Sequence, residues 1–322
     1  MQSVLDDLVT QGAVGVLLQL RTPEAVWTGS SGVAELGGDR SVDPDGWFRA
    51  GSITKTFTAV TVLQLVGEGR LKLDEPITEW VPDVPDEITL RQLLNHTAGL
   101  HNYTDDLPDI PELVRDRFLH VDPVGWLTRA VAKPRLFEAG SSWSYSNTNY
   151  VAVGLLIEAV TGNPYEDEVR DRILEPAGLA RTLLPGDDLE MPEPHAHPCL
   201  QLDGELIDMA RVNASQAWAA GAIVTTAADL NTFYAKLLAG ELLRPAEQAE
   251  LQSVVDVDEG YSYGLGIERR VVGDHVLWGH GGGIYGYQTL SYHSGEVGLT
   301  LSCTAATAEG VKTDHLLAGL LA

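Results

Sequence analysis

A serine and a lysine three residues apart, in the stretch Gly51-Ser52-Ile53-Thr54-Lys55, form the first pair with chemical potential. A serine hydroxyl is a useful nucleophile only when a neighbour takes its proton, and a lysine with a lowered pKa can do so. The apolar run 59–66 predicts a buried helix, and residues three apart share one helix face. The helix start also offers N–H groups to a developing oxyanion. A plain N-cap serine followed by an exposed lysine is the simpler interpretation.

A polar segment before a second predicted helix supplies Tyr145 and Asn147. The segment 137–150 is too rich in hydroxyl and amide groups for a core. A tyrosine relays a proton if a cation lowers its pKa from about 10, and an asparagine can hold a substrate carbonyl or amide. Alone, the segment fits a loop with an N-cap equally well.

The run His280-Gly281-Gly282-Gly283 follows the strand predicted at 276–279. Glycines after a strand let a ligand approach the backbone closely. The N–H of Gly283 could then donate to an oxyanion, and His280 could hydrogen-bond the tyrosine or add positive charge. A glycine hairpin with a surface histidine is the alternative.

The elements that must position these residues fall into two groups. The ends of the chain favour strands, whereas the middle favours helices, which predicts an α/β fold with an α/β sandwich domain from 1–67 and 216–322 and a mostly helical domain from 68–215. The predicted strands are 13–20, 24–36, 49–52 (a short extended piece), 261–267, 275–278, 288–293 and 297–303. One predicted helix begins at residue 52, and the others cover 89–94, 112–132 (broken at Pro123), 150–160, 165–174, 226–239 and 312–321. A surface loop is predicted at 101–111 and a long irregular segment at 185–215.

Composition excludes several partners. The chain of 322 residues carries a formal net charge of -25, which disfavours nucleic acid and anionic membranes. No apolar run reaches the roughly 18 residues needed to cross a bilayer. The first residues lack a basic segment before an apolar one, so we expect a cytoplasmic protein, or a secreted one whose signal peptide is missing from this sequence. Cys199 and Cys303 do not form a disulfide framework.

Together, Ser52-x-x-Lys55, Tyr145-x-Asn147 and His280-x-Gly282 resemble the penicillin-recognising serine hydrolases. The most similar branch holds class C β-lactamases, D-Ala-D-Ala carboxypeptidases, esterases and D-amidases. The stretches 88–100 and 220–230 also look like that branch, and the resemblance spans about residues 10 to 305. It implies a β-lactamase-like two-domain fold, in which an antiparallel sheet flanked by helices meets the helical domain at the active site.

The resemblance also implies roles. Ser52 would attack a carbonyl and form an acyl-enzyme, while Lys55 and Tyr145 would share the proton transfers. The N–H groups of Ser52 and Gly283 would form an oxyanion hole. Asn147 would position the acyl group or support Lys55. No metal and no organic cofactor are implied.

Departures from the branch bear on the substrate. Gly281 and Gly283 stand where carboxypeptidases typically have threonines for a terminal carboxylate, and His280, expected to tune the tyrosine, stands where class C β-lactamases usually have lysine. Both changes weaken the case for a carboxylate-bearing D-Ala-D-Ala or β-lactam substrate. Tyr285 and Tyr287 suggest an aromatic wall. The predicted substrate-binding residues are therefore Asn147, His280, Gly281, Gly282, Tyr285 and Tyr287.

Two other histidine tracts are interpreted as structural. The tract 96–99, His-Thr-Ala-Gly, imitates a His-x-Gly element but lies in the helical insertion. The tract 195–199, His-Ala-His-Pro-Cys, looks like a metal-binding segment, yet its proline and loop setting favour an ordinary loop.

Three functions remain open from the sequence. The first is a serine hydrolase of esters or amides, including D-amino-acid amides and small peptides. The second is a transacylase that passes the acyl group to an amine or alcohol. The third is a non-catalytic binding domain on the same fold. The expected partner is a small-molecule or peptide substrate, and the oligomeric state stays open.

Overall fold

A single antiparallel sheet organises the chain in this computed structural model, which describes residues 1–107, 110–295 and 297–305. Its eight strands lie in the order β2-β1-β12-β11-β10-β9-β8-β7. The strands of this sheet are β1 Ala13–Arg21, β2 Val26–Gly32, β7 Val255–Asp258, β8 Tyr261–Tyr263, β9 Glu268–Val272, β10 His275–Ile284, β11 Tyr287–Ser294 and β12 Val297–Ala305. Two short pairs lie outside it, β3 Phe48–Arg49 with β6 Val224–Thr225 and β4 Cys199–Leu202 with β5 Glu205–Asp208.

The described helices lie before and between these strands. They are α1 Gln2–Thr10, α2 Thr54–Gly67, α3 Leu90–Leu94, α4 Ile110–Asp116, α5 Pro123–Val131, α6 Asn147–Thr161, α7 Tyr165–Val169, α8 Glu175–Ala177, α9 Trp218–Gly221, α10 Ala227–Leu238 and α11 Pro245–Leu251. None of the helices in these described ranges is long and apolar enough to cross a lipid bilayer.

Helix α2 is the centre of the larger core. Apart from Lys55 and Gln64, its residues are apolar or threonine, a composition typical of a helix with no solvent side, and Phe57, Val60 and Leu63 are fully buried. The buried threonine hydroxyls are satisfied locally; Thr58 Oγ, for example, lies 2.8 Å from the Ala219 carbonyl oxygen. The buried helix therefore fixes the residues at its own start.

The sheet has a core on each face because strand side chains alternate. On β1, Val16 and Leu18 pack with Leu5 of α1, whereas Leu17 belongs to the core around α2. Helix α10 lies against β12 and β1.

The structure corrects several predicted elements. Gly51 and Ser52 form a 3-10 turn to Ile53 instead of an extended piece. Strand β10 continues through the glycine run to Ile284, so the glycines are not a loop. The strand predicted over 261–267 ends at Tyr263, because Gly266 takes a φ of +78° and turns the chain. The predicted helix 312–321 lies outside the described residues, and the two-domain division stays a prediction.

Candidate active site

Ser52 lies in the turn between β3 and α2, and its side chain is partly exposed. Gly51 takes a φ of +57°, a left-handed conformation that glycine adopts without strain. Two hydrogen bonds of Thr54 hold the turn: its Oγ donates to the Gly51 carbonyl at 2.7 Å and accepts the Ile223 N–H at 3.1 Å. Ser52 makes no side-chain cap to α2, whose N-cap is Ile53. The Ser52 hydroxyl is therefore not used to cap the helix.

Lys55 brings its amine to that hydroxyl. Its Nζ lies 3.1 Å from Ser52 Oγ, 2.7 Å from Asn147 Oδ1 and 2.7 Å from the Ala220 carbonyl oxygen. The side chain is completely buried. Burial therefore holds the pKa of Lys55 well below its usual 10.5, although the carboxylate of Glu268 acts in the opposite direction.

Asn147 is the first residue of α6, and its amide is oriented by its neighbours. Its Oδ1 accepts from Lys55, so its Nδ2 must donate, and this group lies 3.3 Å from Asn102 Oδ1 and 3.2 Å from Thr104 Oγ. Asn102 Oδ1 also accepts the Asn147 backbone N–H at 3.0 Å. The segment 102–104 thus holds the amide with its oxygen towards the lysine.

Tyr145 lies beside this pair as a buried phenol. Lys55 Nζ is 4.9 Å from the centroid of its ring. Its hydroxyl makes no hydrogen bond of normal geometry with any described residue, although the nearby Ser52 hydroxyl opposes part of the effect of burial on its pKa. Burial dominates and raises the pKa of Tyr145 well above 10.0. The sequence analysis named a cation that lowers this pKa as one condition for proton relay, and in the structure burial has the larger effect on the phenol.

His280 contacts a different tyrosine. Its Nε2 lies 2.9 Å from Tyr263 Oη, and its Nδ1 lies 2.5 Å from the Gly281 carbonyl oxygen. Because a carbonyl only accepts, Nδ1 carries the proton and Nε2 accepts from the tyrosine. Burial lowers the pKa of His280, although the carboxylate of Glu268, whose Oε1 lies 3.4 Å from His280 Nδ1, acts in the opposite direction. The rings of His280 and Tyr145 are 6.4 Å apart.

The glycines of β10 let this strand touch the serine turn. A Cβ on Gly282 would lie 1.9 Å from the Ala50 carbonyl oxygen and 3.2 Å from Ser52 N. A Cβ on Gly51 would lie 2.8 Å from Gly283 N. The residues Ser52 and Gly283 therefore lie where β10 meets the turn, whereas a Cβ on Gly281 would meet Leu290 and Glu268 instead.

A cavity of about 300 Å³ opens over Ser52. Asn147 and Gly283 line it, together with apolar groups such as Leu107 and Leu113. Tyr285 is part of its wall, with its hydroxyl 2.9 Å from Gln216 Oε1. A second cavity of about 400 Å³ shares Leu113, Gln216 and Tyr285 with the first.

Tyr287 is the predicted wall residue that the structure places elsewhere. It is 2% exposed, donates its hydroxyl to the Ala196 carbonyl, and is absent from the described lining of the cavity. Side chains two apart on a strand share a face, but Tyr285 has a φ of +48° and precedes β11. The irregular turn separates the two rings.

His96 is the site neighbour that the sequence interpretation set aside as structural. Its ring is completely buried and lies 4.3 Å from the ring of Tyr145, centroid to centroid. The signal was present in the sequence as a histidine after a short helix, but its partner lies 49 positions further on, and local patterns carry no information on that pairing.

The second histidine tract forms a looser cluster. Ligand atoms of Glu193, His195 and His197 lie within 4.8 Å of one another. His197 Nδ1 lies 2.7 Å from Asp208 Oδ2, and Glu193 is exposed. His195 Nδ1 lies 3.1 Å from the Pro192 carbonyl oxygen, so a nitrogen of each histidine already has a hydrogen-bond partner, and the cluster is not assigned as a metal site.

Comparisons with known proteins give the family of the chain and its similarity to solved structures. A family model described as Beta-lactamase matches residues 1–321. The chain belongs to the beta-lactamase family. Its fold is that of a D-stereospecific amidohydrolase from Streptomyces sp., with a TM-score of 0.91, 35% identity, and 98% of this chain and 96% of that chain covered.

Two further members show the range of the family. The D-amino acid amidase of Ochrobactrum anthropi SV3, complexed with D-phenylalanine, is 28% identical with a TM-score of 0.89, covering 99% of this chain and 96% of that chain. Esterase EstB of Burkholderia gladioli is 31% identical over 52% of this chain and 45% of its own length. The chain spans 37%, 64% and 45% of the first three curated relatives that it matches.

Proposed function

We propose that this chain is a serine hydrolase that cleaves amino-acid amides or esters through an acyl-enzyme on Ser52. The observation that carries the proposal is the buried Lys55 amine, 3.1 Å from Ser52 Oγ. Burial favours the neutral amine, which has two N–H groups and one lone pair. Asn147 Oδ1 and the Ala220 carbonyl can only accept, so they take both N–H groups. The lone pair then faces the Ser52 hydroxyl, which donates to it.

Acylation follows from this arrangement. Lys55 takes the hydroxyl proton as Ser52 Oγ attacks the substrate carbonyl, and the resulting oxyanion accepts the N–H groups of Ser52 and Gly283. Tyr145, held as a neutral phenol, gives its proton to the departing amine or alcohol and recovers one from the Lys55 ammonium. The net change moves the Ser52 proton to the leaving group. Water then attacks the acyl-enzyme, and the same groups return a proton to Ser52.

The cavity indicates the substrate class. None of its described lining residues is a lysine or arginine, so a free carboxylate next to the scissile bond would lose its hydration without gaining a counter-ion. Apolar side chains such as Leu107 and Leu113 suit an apolar acyl side chain. We therefore assign amides and esters without that carboxylate as substrates, in preference to D-Ala-D-Ala peptides.

The likeness to a D-stereospecific amidohydrolase and a D-amino acid amidase supports the D-configuration. The family also includes an esterase, and an acyl-enzyme forms equally from an ester or an amide. The proposed reaction is therefore hydrolysis of D-amino-acid amides, with the corresponding esters as faster alternative substrates.

A substrate panel tests the proposal. D-phenylalanine amide and its methyl ester are expected to be hydrolysed, the L-amide more slowly, and a D-Ala-D-Ala peptide least. Ser52→Ala is expected to abolish every activity. Absence of turnover with all four would contradict the proposal. Diversion of the acyl group to an added amine at the expense of hydrolysis would identify a transacylase instead.

A further inference from the structure

His96 is bound to the backbone on both sides of Tyr145. Its carbonyl oxygen accepts the Ser144 N–H at 3.0 Å, and its Nδ1 accepts the Ser146 N–H at 3.2 Å. Asn149 Nδ2 lies 3.3 Å from the same Nδ1. The segment 144–146, which carries the tyrosine, is thereby held by two groups of one residue, the imidazole and the backbone carbonyl of His96.

The imidazole is held in one form. Since Nδ1 accepts from N–H donors, it keeps its lone pair, and the proton of the neutral ring must sit on Nε2. Burial lowers the pKa of His96 well below 6.5, and Lys55 and His280 lower it further. Nε2 has no hydrogen-bond partner among the described residues. A neutral ring whose lone pair is already engaged does not exchange protons with the substrate.

The position of Tyr145 depends mainly on its backbone and on its ring contacts. Its hydroxyl has no hydrogen bond of normal geometry within the described part of the chain. The ring is placed by its backbone, held at Ser144 and Ser146, and by its contact with the His96 ring, 4.3 Å between centroids with the planes tilted by 38°. A shift of about 1 Å in a reacting group costs about 100-fold in rate.

We infer that His96 is a positioning residue, which holds the Tyr145 phenol where it delivers a proton to the leaving group. The inference rests on the proposed function. The junction of α3 and α6 has other bonds, from Tyr150 Oη to the Leu94 carbonyl at 2.7 Å and from Asn149 Nδ2 to the Leu93 carbonyl at 3.1 Å. Loss of the imidazole therefore leaves the two helices joined and the Ser144 N–H bonded to the backbone carbonyl of residue 96. It removes the acceptor of the Ser146 N–H and the ring that packs against Tyr145.

Backbone conformation selects the variants that test this role. His96 has a φ of +63°, which asparagine and glycine tolerate better than other residues. His96→Asn keeps a short side-chain acceptor for the Ser146 N–H, whereas His96→Gly removes it without backbone strain. Leu5→Ala, in the core under α1, is the control for lost stability alone.

The measurement is single-turnover acylation by D-phenylalanine amide, together with steady-state kcat and KM and a thermal melt. His96→Gly is expected to lower the acylation rate and kcat by about 100-fold, with KM nearly unchanged because His96 does not line the described part of the cavity. His96→Asn is expected to recover at least about a tenth of the wild-type rate. Leu5→Ala is expected to melt earlier and keep its kcat.

Two results would overturn the inference if the wild-type protein is active. The first is a folded His96→Gly protein with wild-type kcat, and the second is a kcat of His96→Asn as low as that of His96→Gly. If the glycine variant does not fold, His96→Ala removes the acceptor with less crowding at this left-handed position than a larger side chain would cause, and the kcat of His96→Ala is compared with that of His96→Asn in the same way. An inactive wild-type protein would instead count against the proposed function.

Discussion

At the scale of single residues, burial sets the protonation states on which the proposed chemistry depends. Lys55 is pushed towards the neutral amine and Tyr145 is kept as a phenol, because the same dry environment disfavours both charged forms. Glu268 is a buried carboxylate near this group, and its own pKa is lowered despite burial by His280 and Arg270. The negative charge of Glu268 is paired with the Arg270 guanidinium, 3.0 Å away.

The lowered pKa of Lys55 predicts the pH dependence. The amine is active when neutral, so kcat/KM is expected to rise with pH through the pKa of Lys55, which lies below 10.5. Lys55→Arg keeps a cation that does not deprotonate and is expected to lower kcat/KM by about 100- to 10,000-fold at every pH. A pH–rate profile of both proteins checks this. An arginine variant with wild-type activity would exclude Lys55 as the base.

Tyr145→Phe separates proton delivery from attack. The variant is expected to slow hydrolysis of D-phenylalanine amide by about 100-fold or more, and that of a p-nitrophenyl ester much less, since p-nitrophenolate leaves without a proton. Tyr234→Phe removes another buried hydroxyl, 3.0 Å from Thr56 Oγ, and is expected to keep the activity on both substrates. Equal losses on amide and ester in Tyr145→Phe would argue against Tyr145 as the proton donor to the leaving group.

At the scale of elements, the site exists because a glycine strand touches the start of a buried helix. The sequence predicted the helix after Ser52 and most sheet strands, since both depend on local patterns of apolar residues. It did not predict that β10 runs through its glycines, because the reason is a contact with Ala50 some 230 positions away. For the same reason it missed His96 beside Tyr145 and grouped Tyr287 with Tyr285. The motif residues Ser52, Lys55, Tyr145 and Asn147 were selected by residue type and resemblance, and the structure brings them together.

Glycine substitutions test that contact. Gly282→Ala places a methyl group 1.9 Å from the Ala50 carbonyl oxygen, so β10 must move away from the serine turn, and kcat/KM is expected to fall by about 100-fold. The matched change Gly281→Ala meets nothing nearer than 3.6 Å and is expected to cost far less. Measurements of kcat/KM and of the melting temperature for both variants test this difference. Comparable kinetics for the two would show that the close approach does not matter.

At the scale of the whole molecule, the net charge is expected to favour cationic over anionic substrates of equal shape. A formal charge of -25 attracts cations and repels anions over distances that salt shortens. The free ammonium of an amino-acid amide suits this field, whereas a carboxylate does not. The charge thus agrees with the substrate class that the uncharged cavity lining indicates.

Ionic strength is expected to act on substrates according to their charge. Raising it from about 0.01 M to about 0.15 M should lower kcat/KM for D-phenylalanine amide, raise it for the N-succinyl derivative, and leave the N-acetyl derivative almost unchanged. The three rates at each salt concentration provide the check. The same dependence of kcat/KM on ionic strength for all three substrates would mean that the net charge of the protein does not influence substrate capture by the active site.

Intact-mass detection of the acyl-enzyme tests the central claim most directly. Wild-type protein mixed with a p-nitrophenyl ester and quenched within one turnover is predicted to gain the mass of one acyl group, mapped by peptide analysis to Ser52. Ser52→Ala is predicted to gain nothing. An adduct that persists in Ser52→Ala, or turnover by wild type in which no adduct forms, would contradict the account.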